Sequence, residues 1–166
     1  IASLDPFGAL FLLLFGFGWA KPVPVDTRYF KNPKRDMAIT ALAGPVSNLL
    51  ASFVGALIYV GIMVAAKFSM PTFVQDFFIA YITINVALAV FNLIPLPPLD
   101  GSMILGAFLS NKTLFYYYKY QNIIIMVAFV VLFSGVLSAP LSFLQQLFAN
   151  GVLWLATLPF KLFGLL

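Results

Sequence analysis

The chain has 166 residues, of which 63% are hydrophobic and only 8% charged, against roughly 25% charged in an average soluble domain. With a mean hydropathy of +1.05 it has too little polar surface for a soluble globular domain, and its balance is the opposite of a disordered chain's. It has no cysteine and no histidine, so these residues supply no disulfide, thiolate metal site or imidazole base, and its net charge of +4 reads as membrane topology rather than nucleic-acid binding.

The chain opens on Ile1, and Ile1–Asp5 has no basic stretch of the kind that leads a cleavable signal. A start cut from a longer protein is therefore expected. Pro6 to Ala20 is free of charge but shorter than the ~20 residues a spanning helix needs. Gly8, Gly16 and Gly18 weaken it further as a helix. It reads as a partial or re-entrant segment, or as the tail of a helix that begins upstream. In Lys21-Pro22-Val23-Pro24-Val25, prolines at alternate positions enforce an extended, β-like backbone. Pro22 and Pro24 blank one edge of such a strand, while Lys21, Val23 and Val25 keep their N–H donors on the other.

Met37 to Ala66 is free of charge and long enough for one full span. Phe77 to Leu99 gives a second, with its last turn disrupted by Pro95, Pro97 and Pro98. Tyr120 to Phe160 is long enough for two passes. Ser138-Ala139-Pro140 is the expected break between them, and Asn150-Gly151 a candidate for a second one. The fold class is thus all-α and polytopic, with about four transmembrane helices, the short N-terminal segment and the extended element near residues 21–25. No linker or repeat divides residues 1–166, so one membrane domain is the simplest organisation.

Charge sorts the loops. Residues 20–36 carry Lys21, Arg28, Lys31, Lys34 and Arg35, and residues 100–119 carry Lys112 and Lys119. The segment 67–76 has only Lys67 and Asp76. The basic segments are expected on the cytoplasmic side of the inner or plasma membrane, and 67–76 on the other side. Tyr116, Tyr117, Tyr118 and Tyr120 then read as an interfacial aromatic belt with no chemistry of its own.

Five acids exist: Asp5, Asp26, Asp36, Asp76 and Asp100. The first four sit where solvated loop residues would sit. Asp100 follows a long apolar helix and the run Asn92-Leu93-Ile94-Pro95-Leu96-Pro97-Pro98-Leu99. The prolines unwind the helix end and leave carbonyls without N–H partners, and Gly101 allows a turn with positive φ. A carboxylate held there near the cytoplasmic boundary is a functional candidate. A simple helix-terminal turn with Asp100 wet at the interface accounts for the spacing equally well. Asn48 and Asn92 are intramembrane amides that could donate to a substrate carbonyl or an oxyanion, or bond between helices. Gly44 and Ser47 beside Asn48 permit close helix approach.

The run Asn92 to Gly101 resembles the Asn-x-x-Pro-x-Pro-x-x-Asp-Gly signature of the site-2 protease family, zinc metalloproteases that cut within membranes. Asp5-Pro6-Phe7-Gly8 with Phe15 to Val25 resembles the segment after that family's first catalytic helix. Gly44-Pro45-Val46-Ser47-Asn48 resembles its Gly-Pro-x-x-Asn motif. The three occur in the family's order over roughly residues 5–110, and residues 111–166 carry no signature.

The resemblance implies one zinc ion held by two histidines of a His-Glu-x-x-His helix and one aspartate, matched here by Asp100, with the Glu as general base. It implies a substrate contact for Asn48 more than for Asn92. The substrate would be a transmembrane protein. Independently of the resemblance, the intact edge at Lys21, Val23 and Val25 is suited to hold it extended by strand addition, while a stiff loop between membrane segments accounts for the same prolines at least as well. These 166 residues contain no His-Glu-x-x-His, so the catalytic helix is expected upstream of Ile1, and the fragment alone is expected to be inactive. The alternatives are an inactive scaffold that binds transmembrane partners and, last, a transporter subunit.

Overall fold

A computed structural model of the chain describes residues 26–165. The expected partial segment 6–20 and extended element 21–25 lie outside the described residues. The chain divides into two compact units, Ile1–Pro33 and Lys34–Leu166. In the first unit, a 3-10 turn at Thr27–Tyr29 follows Asp26, whose carboxylate accepts from the Arg28 guanidinium at 2.7 Å.

The rest is helical. Helix α1 runs Pro33–Ala65, α2 Thr72–Asn92, α3 Asp100–Phe108, α4 Asn111–Lys119, α5 Gln121–Phe133 and α6 Ser138–Leu162. Proline opens α1, where its missing N–H costs nothing, and Asp36 in the first turn complements the helix dipole. The helix stops in a left-handed turn at Lys67 and Phe68, with the Phe68 N–H donating to Met63 O at 2.8 Å. Helix α4 is capped by Ser110, whose hydroxyl accepts from the Thr113 N–H at 3.2 Å.

Three helices, α1, α2 and α6, are long and apolar enough to cross a bilayer; α4 and α5, which meet at 69°, would make a fourth span if counted as one. The faces of α1 are sorted by size. Val46, Leu50, Val54, Ile58 and Ile62 recur every fourth residue and are exposed, with Val46 and Leu50 bordering a groove against α6 and Val54 and Ile58 one against α2. Ala41, Pro45, Ser52, Gly55, Ala56 and Val60 are buried. Small residues there let backbones approach, which is how helices associate in lipid. Ala56, Val60, Ile82, Val152 and Ala156 form the common core of α1, α2 and α6. A side-chain carbon added at Gly55 would lie 2.6 Å from the Tyr81 ring, so α1 and α2 touch at that level.

Several expectations are corrected. The second span begins earlier and ends earlier than its charge-free run. It includes Asp76 and stops at Asn92, because the residue before Pro95 is pushed out of the helical region. Pro140 does not end a helix. The break falls at residues 134–137, where Gly135 has φ 78°, and Pro140 sits in the first turn of α6, where proline is tolerated. Asn150-Gly151 is no break, since α6 continues unbroken to Leu162.

The start of α6 returns to the Asp100 end of the bundle. Leu141, Leu144 and Phe148 share a groove with Val90, Leu93, Ile94 and Pro95. At the other end, Phe160 lies 3.5 Å from where a side chain at Gly61 would begin. Helix α6 therefore runs alongside α1 and against α2. Helix α5, with 13 residues, is ~20 Å long.

Candidate metal-ligand site

The segment between α2 and α3 is built by its prolines. Pro95, Pro97 and Pro98 have no N–H to satisfy. The N–H groups of Ile94, Leu96 and Leu99 donate within the segment or to the end of α2: to Phe91 O at 3.1 Å, Ile94 O at 2.8 Å and Leu96 O at 2.9 Å. Pro97 is buried. The backbone is irregular but its donors are accounted for, the condition under which such backbone is tolerated at membrane depth.

Asp100 is the first residue of α3. The expectation of a positive φ at Gly101 is corrected: the positive-φ glycines among the described residues are Gly135 and Gly164, and Gly101 is helical and buried. Its need for glycine is steric. A side chain there would meet the backbone carbonyls of Leu93 and Ile94, so the first turn of α3 rests directly on the end of α2.

The Asp100 side chain crosses to α1. A Cβ placed on Gly44 would stand 2.5 Å from Asp100 Oδ2 and 3.6 Å from its Cγ. The carboxylate thus points its Oδ2 at α1, into space that only a glycine hydrogen leaves free. It is half-buried, and burial raises the carboxyl's pKa above its ordinary value. The start of α3 contributes a favourable dipole to the ionised form.

Asn48 lies one turn beyond Gly44 on α1, ~6 Å further along its axis, and is half-buried. Asn92 closes α2, next to the Leu93 carbonyl that supports Gly101. Gly44 therefore brings Asp100 to the face of α1 that continues into Asn48, while Asn92 stands at the root of the Asp100 segment. The buried Ser52, a turn below Asn48, donates to Ile82 O at 3.3 Å. Lys21, Val23 and Val25 lie outside the described residues.

Among the described residues no group of three or more His, Cys, Asp or Glu could hold a metal ion. Asp100 fits one position of a zinc site, since an anionic oxygen is a proper ligand and Gly44 leaves the cradle in which it lies. The described residues do not complete such a site.

Two residues belong to this region that the sequence did not single out for it. Tyr117, one of the expected belt, donates its hydroxyl to Pro95 O at 3.0 Å. It is the half-buried member of its cluster, whereas Tyr116 and Tyr120 stack on each other at 6.5 Å and are exposed. Lys34 donates to Leu109 O at 2.7 Å, tying the start of α1 to the end of α3. Residue type alone does not mark which tyrosine of the run faces inward. The fourfold spacing of Tyr116 and Tyr120 was the available hint, because it puts both on one face and Tyr117 off it.

Comparison with known proteins gives a consistent picture. The sequence model of a family described as Peptidase family M50 matches residues 9–135. A protein of Bacillus subtilis (strain 168) named "Putative zinc metalloprotease YwhC" is 46% identical over 110 residues, covering 63% of this chain and 49% of that protein. The chain thus spans about half the length of this curated relative. No solved structure matches.

Proposed function

The chain belongs to peptidase family M50, and from that premise we propose that it forms part of a site-2-type zinc metalloprotease that hydrolyses peptide bonds of transmembrane proteins near the cytoplasmic face. The observation that carries this reading is the Asp100 carboxylate, seated on α1 at Gly44 inside a helical bundle. A carboxylate at the start of a short helix, set among membrane spans, is costly to keep unless it has a partner. The name of the Bacillus subtilis relative supports zinc as that partner.

In this reading Asp100 supplies one metal ligand. The remaining ligands and the general base come from a His-Glu-x-x-His helix outside these 166 residues. Zinc, when bound, acidifies its water and polarises the scissile carbonyl. Asn48 donates its amide N–H groups towards the substrate carbonyl or the oxyanion, and Asn92 assists from the end of α2. The alternation of Lys21, Val23 and Val25 with Pro22 and Pro24 in the sequence supports strand addition by an unwound substrate along the proline-free edge. The basic segments 20–36 and 100–119 face the cytoplasm, which puts the Asp100 end of the bundle on that side of the inner or plasma membrane.

The test is zinc per protein by elemental analysis, with cleavage of a transmembrane substrate, in a protein that includes the His-Glu-x-x-His helix. It should hold about one zinc. Asp100→Ala should lose both metal and activity. Asp76→Ala, exposed near the opposite end of α2, should keep both. Full zinc and normal cleavage in Asp100→Ala would remove Asp100 from the metal site.

A further inference from the structure

We propose that Gly44 is a positioning residue for the metal ligand: its missing side chain fixes where the Asp100 carboxylate lies, and an alanine at this position displaces the ligand without disturbing the fold. The inference rests on the reading of Asp100 as a zinc ligand.

Three glycines on the first three helices face close neighbours, and the neighbours differ in kind. Gly55 faces the Tyr81 ring, a packing contact between α1 and α2. Gly101 faces the Leu93 and Ile94 carbonyls, which are backbone. Gly44 faces the end of one side chain: a Cβ added there would stand 2.5 Å from Asp100 Oδ2, and its next neighbour would be the carbon of the same carboxylate at 3.6 Å. Ordinary contact begins near 3.4 Å, so an alanine methyl would drive the oxygen away by about 0.9 Å. Rotation of the Asp100 side chain is enough to supply that movement, so neither helix has to shift. Glycine is also a poor residue for a helix interior, and alanine is the best. Position 44 lies well inside α1, where local propensity favours alanine and only the contact with Asp100 opposes it.

Metal sites are far less tolerant than the fold. Ligand distances hold to roughly 0.2 Å, and a productive constellation to roughly 0.5 Å. A displacement near 0.9 Å exceeds both. The same methyl that leaves the helix intact, or improves it, therefore moves the ligand out of position.

The experiment uses the protein that includes the His-Glu-x-x-His helix. Zinc affinity is measured by chelator competition, alongside the visible spectrum after cobalt(II) substitution and the unfolding temperature of the metal-free protein in detergent, where zinc binding makes no contribution of its own. Gly44→Ala should weaken zinc binding about 10- to 100-fold, the usual effect of disturbing a ligand's support. Its cobalt bands should shift, and its unfolding temperature should match or exceed that of the parent. Gly61→Ala, whose added carbon would meet Phe160 at an ordinary 3.5 Å, should leave affinity and spectrum unchanged. If Gly44→Ala keeps parental affinity and spectrum while Asp100→Ala loses metal, the inference fails and the reading of Asp100 stands. If Asp100→Ala keeps its metal, that reading fails first and the inference with it. Loss of metal in Gly44→Ala together with a lowered unfolding temperature would make Gly44 a packing residue and overturn the proposal.

Discussion

Replacing Gly101 with alanine tests how α3 is set on the end of α2. Unlike the contact at Gly44, the obstruction here is backbone: the added carbon would press on the carbonyls of Leu93 and Ile94. No rotamer change relieves it, so the turn at residues 93–99 has to move, and the hydrogen bonds of Ile94, Leu96 and Leu99 move with it. Overpacking of this kind costs typically 1–3 kcal/mol, and we take ~3 kcal/mol because the obstructing atoms are main-chain. Alanine's helix propensity returns ~1 kcal/mol, leaving a net loss of ~2 kcal/mol. In a chain of 166 residues, each kcal/mol shifts Tm by roughly 2–4 °C, which gives a fall of about 4–8 °C. Gly151→Ala is the reference. It too is helical, but an added carbon meets nothing within 4 Å, so its Tm should rise by about 2–4 °C. Thermal unfolding in detergent, followed by tryptophan fluorescence, measures both. A Gly101→Ala protein that melts at or above the parent would refute the close approach of α3 to the α2 carbonyls.

The hydrogen bond from Tyr117 to Pro95 O should be worth ~1 kcal/mol, so Tyr117→Phe should lower Tm by about 2–4 °C and speed amide exchange at Leu96, while Tyr116→Phe changes neither; equal behaviour of the two variants would return Tyr117 to the aromatic belt. Cysteines introduced at Ser69 and Phe163 should be labelled by an impermeant thiol reagent from one side of the membrane and a cysteine at Lys112 from the other, because α6 starts beside Pro95 and ends beside Gly61. Labelling of 163 from the same side as 112 would reverse the direction of α6.

The first two spans were legible because a bilayer penalises charge, and runs without charge are visible in sequence. Their ends were less legible. Asp76 can stand inside a helix once that turn reaches past the hydrocarbon, so the charge-free run overstated the loop before α2. Proline was read by one rule where two apply. Pro95 ends a helix through its effect on the residue before it, whereas Pro140 opens one, and only the neighbouring Gly135 decides between the two. The position of Asp100 directly after a proline-broken helix end was legible, but its approach to Gly44 joins residues more than fifty positions apart, and no local pattern records which glycine faces which carboxylate. Gly101 shows the same limit: it was read as allowing a positive φ, whereas its glycine answers to a neighbouring backbone rather than to its own φ. The course of the chain after Tyr120 depends on which groove accepts α6, and apolar length says nothing about direction.

The composition of α6 also bears on how the protein enters its membrane. It is the least apolar of the three long spans, and Gln145 and Gln146 lie with Ser142 and Thr83 along a groove that it shares with α2. Helices α1 and α2 are apolar enough to partition into lipid as each leaves the insertion machinery. Helix α6 gains its place by packing Val152 and Ala156 onto Ile82, Val60 and Ala56, a surface that exists only once the first pair has come together. Of these three spans, α6 is thus the one whose place depends on a surface that the other two supply together. A ribosome that stops in the turn at 134–137 would release a hairpin already resident in the bilayer, with the recess for α6 open to lipid.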